Sequence, residues 1–149
     1  MATIKDQGPK LAEAVVAGFE ANLGSPLPRA YRRFLLSSNG GVPVPNTVDV
    51  PGFSQSPTDV QEFFGLDLET DTSCIDWNTD ALKERLDPRL VPIACDSGGN
   101  VFCLSLRLAD ELAVTYCDLE AVYGDPGKAP PEHPVAADFD QFLGRLRSF

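Results

Sequence analysis

Apolar residues recur at helical spacing in the first quarter of the chain. In residues 9–23 an apolar residue falls at every fourth position, which predicts a helix that begins near Pro9 and stops at Gly24. A second helix is predicted from about Pro28 to Asn39-Gly40-Gly41, with an apolar face formed by Tyr31, Phe34 and Leu35. The opposite face carries Arg29, Arg32 and Arg33, which predicts a solvated surface, with a small basic site as the alternative.

Two further helices are predicted, one in the middle of the chain and one at its end. Residues 75–86 place Leu82 and Leu86 four positions apart, directly before Pro88. The last helix is predicted to start at Asp138, since Gln141 three residues later completes a capping box. Its apolar stripe consists of Phe139, Phe142, Leu143 and Leu146.

Residues 90–106 give the clearest strand pattern. Two apolar runs flank the turn sequence Asp96-Ser97-Gly98-Gly99-Asn100, which predicts a β-hairpin. If Cys95 pairs with Asn100, the core face holds Val91, Ile93, Phe102 and Leu104, and the other face holds Ala94, Val101 and Cys103. Residues 112–118 predict a third strand, with Leu112, Val114 and Tyr116 on one side.

The remaining segments have weaker patterns. Residues 60–68 predict a strand with mixed polarity. Four prolines between positions 42 and 57 leave room only for short edge strands, for example at 47–50. Residues 124–134 are rich in proline and predict a surface loop.

Length and charge limit the possible classes of protein. The 149 residues are 43% hydrophobic, which predicts one globular domain over residues 1–149. The net charge of −10 argues against a nucleic acid or an anionic membrane as partner, and favours a basic one. Residues 34–82 contain no lysine or arginine and eight acidic residues.

The sequence predicts a cytoplasmic protein with reduced cysteines. The N-terminus lacks the apolar segment of a signal peptide, and no stretch is apolar enough for a membrane helix. The four cysteines form no C-x-x-C pair, so we expect buried thiols and neither zinc nor disulfides. The expected cofactors and metals are none.

Sequence motifs of common enzymes are missing. The single histidine, His133, lies in the proline-rich segment with no obvious nucleophile nearby in sequence. The 96–100 turn fails the calcium-loop pattern, because its third position is Gly98 and its twelfth is Arg107. A small enzyme that uses a Cys–His pair or paired carboxylates stays open as an alternative, and the predicted catalytic residues are none.

Several segments, taken in order, resemble the SUKH superfamily, which includes bacterial immunity proteins related to yeast cell-wall assembly regulators. The resemblance extends over about residues 15–146. It rests on Leu23-Gly24, Leu27-Pro28-Arg29-Ala30-Tyr31-Arg32-Arg33-Phe34-Leu35, Asn39-Gly40-Gly41-Val42-Pro43, Leu90-Val91-Pro92-Ile93-Ala94-Cys95-Asp96, Gly99-Asn100-Val101-Phe102-Cys103-Leu104, Val114-Thr115-Tyr116-Cys117-Asp118 and Phe139-Asp140-Gln141-Phe142-Leu143.

The resemblance implies an α+β fold with a mainly antiparallel sheet and helices packed at the N- and C-terminal ends. It also implies an immunity protein of a polymorphic toxin system, which binds a protein toxin, expected to be a nuclease, and blocks it non-covalently. A scaffold or regulatory protein with the same fold is the alternative. The oligomeric state stays open.

The acidic charge suggests where such a partner would bind. A nuclease must bind phosphates, so its cleft is basic and would attract an acidic inhibitor. We therefore predict a partner-binding surface in the acidic segment, with a tryptophan as its anchor. The predicted residues are Asp67, Glu69, Asp71, Asp76, Trp77 and Asp80. The alternative is that Trp77 belongs to the core and that the acidic residues serve only solubility.

Overall fold

The computed structural model describes residues 2–108, 113–125 and 127–149. Helix α1 (Glu13–Leu23) ends at Gly24 as predicted, where φ is +73°. It begins four residues later than predicted, because the backbone of residues 8–9 is engaged elsewhere. The N–H of Gly8 donates to the carbonyls of Ser38 and Asn39 (3.2 Å each), and the Pro9 carbonyl accepts from the Asn39 amide (2.9 Å).

Helix α2 (Arg29–Ser38) follows the prediction at both ends. Pro28 precedes its first turn, where a missing N–H costs no hydrogen bond, and Asn39 ends the helix in the left-handed conformation. The predicted apolar face is buried. Its two rings belong to a cluster of aromatic side chains in which the centroids of neighbouring rings lie 5.0–6.3 Å apart. The cluster consists of Tyr31, Phe34, Phe63, Phe102, Phe139 and Phe142.

The central sheet is antiparallel and has the order β5-β6-β7-β8-β9. Its strands are β5 (Glu62–Phe63), β6 (Leu90–Cys95), β7 (Val101–Ser105), β8 (Val114–Cys117) and β9 (Glu132–Ala136). Two small ladders flank it: β1 (Thr3–Lys5) with β2 (Val42–Val44), and β3 (Thr47–Val48) with β4 (Thr58–Asp59). The predicted α+β fold class is confirmed.

The predicted hairpin of β6 and β7 is present, but its register differs. Cys95 pairs with Val101, not with Asn100, and a bulge at Ile93 restores the pairing of Val91 with Leu104. Because the bulge absorbs one residue, the four predicted core residues still contact the main core, which Ala94 joins against prediction.

The opposite face of the sheet has a smaller core of its own. Val101, Cys103 and Cys117 pack there against Leu86 and Leu119. Helix α3 (Ile75–Leu82) contacts this smaller core through Leu82 and is shorter than the predicted 75–86. The last predicted residues form a turn, in which the N–H of Leu86 donates to the Leu82 carbonyl (3.0 Å).

Two other segments differ from prediction. Of residues 60–68, only β5 is a strand, because the chain leaves the sheet after it. The Asn39 side chain holds the departing chain by hydrogen bonds to the backbone of Leu66. The loop predicted at 124–134 gives way to β9 from residue 132 onward. Pro134 is tolerated in β9 because β9 is an edge strand. No further strand lies on its outer side, so the missing backbone N–H of a proline costs no hydrogen bond there. Leu112, predicted in the third strand, lies outside the described residues.

Helix α4 (Phe139–Gly144) closes the main core. The predicted capping box is met in part: Asp138 accepts from the Gln141 N–H (2.8 Å), but the Gln141 side chain accepts from the N–H of Ala137 (2.7 Å), one residue before the N-cap. Arg147 lies beyond the end of the helix. It pairs with Asp49 (2.8 Å), and its backbone bonds to Thr47.

Candidate partner-binding site

The predicted partner-binding residues lie in a loop and in the helix that follows it. The loop, residues 66–73, leaves the central sheet after β5 and returns to the same place. The N–H of Gly65 donates to the Ser73 carbonyl (3.0 Å), and the N–H of Ile75 donates to the Gly65 carbonyl (2.9 Å). Between these closing bonds, Asp67, Glu69 and Asp71 are all exposed.

A buried asparagine fixes the start of this loop. Asn39 is 1% exposed, and its side chain accepts from the Leu66 N–H (2.8 Å) and donates to the Leu66 carbonyl (2.9 Å). Gly65 lies so close to it that a Cβ there would stand 2.6 Å from the Asn39 carbonyl oxygen. From the sequence, Asn39 was predicted only to end the second helix, because its contacts with Leu66 lie 27 positions away along the chain.

Helix α3 presents the other predicted residues. Asp76 and Asp80 are four positions apart on one side of the helix, with Trp77 between them, and all three are exposed. Trp77 is 44% exposed, so it is not a core residue. The side chain of Asn78 donates to the Thr72 carbonyl (3.0 Å) and so ties the helix to the loop. We call Asp67, Glu69, Asp71, Asp76, Trp77 and Asp80 together the acidic face.

The charges of the acidic face are largely uncompensated. Among the described residues, Lys83 forms the one ion pair that reaches it, with Asp80 at 3.1 Å. Both side chains of that pair are more than 60% exposed, so it contributes little. The acidic face therefore combines high negative charge with an exposed aromatic side chain.

A cleft of about 440 Å³ adjoins the acidic face. Asp67 and Glu69 line it together with Asp6 and Glu62. Ser73 holds Glu62 in place by donating to its carboxylate (3.0 Å). Sequence reasoning missed Asp6 and Glu62 as part of this site, since only the folded chain brings the N-terminal segment and β5 next to the loop.

A second concave region lies at the turn of the hairpin and has a structural role. Its centre is Asp96, which is 4% exposed. One carboxylate oxygen accepts from the N–H groups of Gly98 (3.0 Å) and Asn100 (2.8 Å), and the other accepts from the hydroxyls of Thr58 (2.8 Å) and Tyr116. These four bonds occupy the carboxylate, so it closes the turn and has no free capacity to bind a ligand.

The structure separates His133 from the three cysteines of the central sheet. His133 pairs with Tyr116 across the sheet, whereas Cys117 pairs with the neighbouring Glu132, so the two side chains point to opposite faces. Cys95 and Cys103 share the face of Cys117. Burial, reinforced by Glu62, raises the pKa of the Cys95 thiol to about 11, so it is protonated at neutral pH and a poor nucleophile.

The described residues contain no group of three or more His, Cys, Asp or Glu side chains arranged to hold a metal ion. All four cysteines are free thiols. No helix in the described ranges has the length and apolar character needed to cross a membrane.

Comparison with known proteins gives one family. The family model described as SMI1 / KNR4 family (SUKH-1) matches residues 10–145, which is most of the chain. A comparison with curated proteins finds no match.

Proposed function

The chain belongs to the SMI1 / KNR4 family (SUKH-1), and on this premise we propose that it is an immunity protein. It binds the toxin domain of a cognate partner, and it neutralises that domain by covering its active site or substrate path. The blocking is non-covalent and takes place in the cytoplasm without a cofactor.

The observation that carries this proposal is the uncompensated charge of the acidic face. A nuclease holds phosphates in a basic cleft, so an acidic inhibitor is attracted over a distance before contact. Such steering raises association rates by about 10- to 1000-fold at low salt. A face whose carboxylates were neutralised by neighbouring cations would lack this effect.

Trp77 supplies apolar contact area, which charge alone does not provide. Large aromatic side chains at the centre of an interface carry much of the binding energy, because they bury a large area on contact. The adjoining cleft then takes a lysine or arginine side chain of the toxin, whose cation meets Asp6, Glu62, Asp67 and Glu69.

Cell survival tests the function. A candidate toxin domain, such as one encoded beside this gene, is expressed with and without this protein, and viable cells are counted. We expect rescue. Death of the cells, with both proteins present and soluble, would overturn the assignment to that toxin and favour a scaffold or regulatory role.

Association kinetics test the surface. Glu69→Lys/Asp71→Lys reverses two charges of the acidic face, and we expect its association rate with the purified toxin to fall by about tenfold or more at low salt. Glu120→Lys/Asp125→Lys makes the same change in net charge at exposed positions outside the acidic face, and serves as the matched control. Equal rates for both variants would contradict the proposed surface while leaving the immunity function open to the survival assay.

A further inference from the structure

A groove of opposite charge lies along α2 and the linker that joins it to α1. Its volume is about 790 Å³, and its lining includes Glu20 of α1, Pro26 and Leu27 of the linker, and the outer side of α2. The cations that line it are Lys10, Arg29, Arg32 and Arg33. Four of the twelve basic residues of the chain are therefore concentrated in one groove of a protein with a net charge of −10.

These four cations are not equally available. Arg32 is held by Glu13 (2.7 Å) and Glu20 (3.0 Å), and these bonds raise its pKa. Arg33 pairs with Asp140 at 3.3 Å, but both side chains are more than 60% exposed, so the pair is easily exchanged. Within the described ranges, no carboxylate lies within 4.0 Å of Lys10 or Arg29. Lys10, Arg29 and Arg33 are thus available to a ligand.

The floor of the groove is apolar and held in position. Leu27 is buried and Leu36 is half-buried. The Glu20 carboxylate accepts from the Leu27 N–H (2.6 Å) and from Arg32, so one side chain fixes both the linker and the guanidinium. The shape of the groove is therefore set before a ligand arrives, which lowers the entropic cost of binding.

We propose that this groove binds an acidic amphipathic segment of a partner protein. Its apolar side chains pack on Leu36 and Pro26, above the buried Leu27, and its carboxylates pair with Lys10, Arg29 and Arg33. An apolar floor under a cationic rim fits such a segment better than a free anion, which would leave the floor uncovered.

This groove is distinct from the acidic face, and the two bind partners of opposite charge. A second copy of this chain is a less suitable occupant. Docking the acidic face of one copy into the groove of the next is a head-to-tail contact, which continues into open chains unless the geometry closes a ring.

Fluorescence anisotropy tests the proposal. The probe is a labelled 16-residue helical peptide with leucine on one face and glutamate on the other. We expect saturable binding to the full chain, and a loss of about tenfold or more for Arg29→Glu/Arg33→Glu. The matched control, Lys83→Glu/Lys128→Glu, changes the net charge equally at positions outside the groove lining and should bind the peptide like the unaltered protein. Leu36→Gln, which keeps every charge, should also weaken binding.

Four results would overturn the proposal. They are no saturable binding of the peptide, equal losses in both double variants, equal binding of a glutamate–serine peptide without leucine, and tighter binding of a labelled single-stranded RNA. Self-association of the protein that Arg29→Glu/Arg33→Glu abolishes would replace the proposed partner with a second copy. Circular dichroism spectra and melting curves establish that each variant is folded. Because Arg29→Glu/Arg33→Glu and Leu36→Gln leave the acidic face untouched, these two variants should still rescue cells from the toxin.

Discussion

Carboxylates serve opposite purposes in the acidic face and at the hairpin turn. Asp96 is almost fully buried and accepts four hydrogen bonds from the protein itself. Asp67, Glu69, Asp71 and Asp76 are exposed, and no ion pair with a described cation neutralises them. The first carboxylate stabilises the fold, whereas the others leave their charge available to a partner.

The difference shows how burial decides the role of one and the same chemical group. A buried carboxylate is stable only when donors replace the water that it lost, so its capacity to bind is used up within the molecule. An exposed carboxylate keeps its water and loses it only when a partner arrives. Stability and binding should therefore respond to different substitutions.

The largest effect on stability is expected at Asp96. Replacing it in Asp96→Ala leaves two hydroxyls and two backbone N–H groups without their acceptor, so we expect the free energy of unfolding to fall by about 3 kcal/mol. Chemical denaturation measures this change. Asp76→Ala, the same substitution on the acidic face, should cost less than about 0.5 kcal/mol. Similar losses for the two variants would contradict the division of roles.

Replacing Trp77 should weaken binding to the toxin but change the free energy of unfolding little. We expect Trp77→Ala to weaken toxin binding by about 2 kcal/mol or more, because an interface aromatic residue is removed. Its effect on the free energy of unfolding should stay below about 1 kcal/mol, since the side chain is already 44% exposed in the free protein. Calorimetric titration with the toxin and denaturation of the free protein measure the two quantities. Tyr123→Ala removes another exposed aromatic residue, 82% exposed, and should affect neither.

The smallest effect concerns the response to acid. Arg147 donates hydrogen bonds to Asp49 and holds the pKa of that carboxyl below its ordinary value of 3.8. Because the folded-state pKa is the lower one, the stabilisation is present above the unfolded-state pKa and is lost as the pH falls through the folded-state value. We expect Asp49→Asn to flatten the decline of unfolding free energy between about pH 5 and pH 2. Asp76→Asn, which changes an unpaired carboxyl, should leave that decline closer to the unaltered one.

The sequence anticipated those parts of the fold that are local. Helix α2 has its stop signal and its apolar face within ten residues, and α4 carries its own cap, so both were predictable. The start of α1 and the end of β5 were not, because each is set by a hydrogen bond to Asn39 from far along the chain. The hairpin register was predicted wrongly, since the pairing of Cys95 with Asn100 took no account of the bulge at Ile93, although the neighbouring Pro92 is typical of an edge or a bulge in a strand.

The candidate site likewise has a part that the sequence predicted and a part that only the folded chain brings together. Asp67, Glu69, Asp71, Asp76, Trp77 and Asp80 are close in sequence, so a run of charges around a tryptophan was enough to propose them. Asp6 and Glu62 lie beside the acidic face only because the fold brings the N-terminal segment and β5 next to the loop. The basic groove likewise needs Lys10, α2 and the linker in their final positions.

By itself, the sequence determined the net charge, the α+β class and the family, because these depend on residue types and on spacing over a few turns. Only the tertiary structure decided which carboxylates are buried and satisfied, which stay unpaired, and where cations gather against the overall charge. The physical reason is that hydration and pairing of a charged group depend on neighbours in space, and most of those neighbours are distant in the chain.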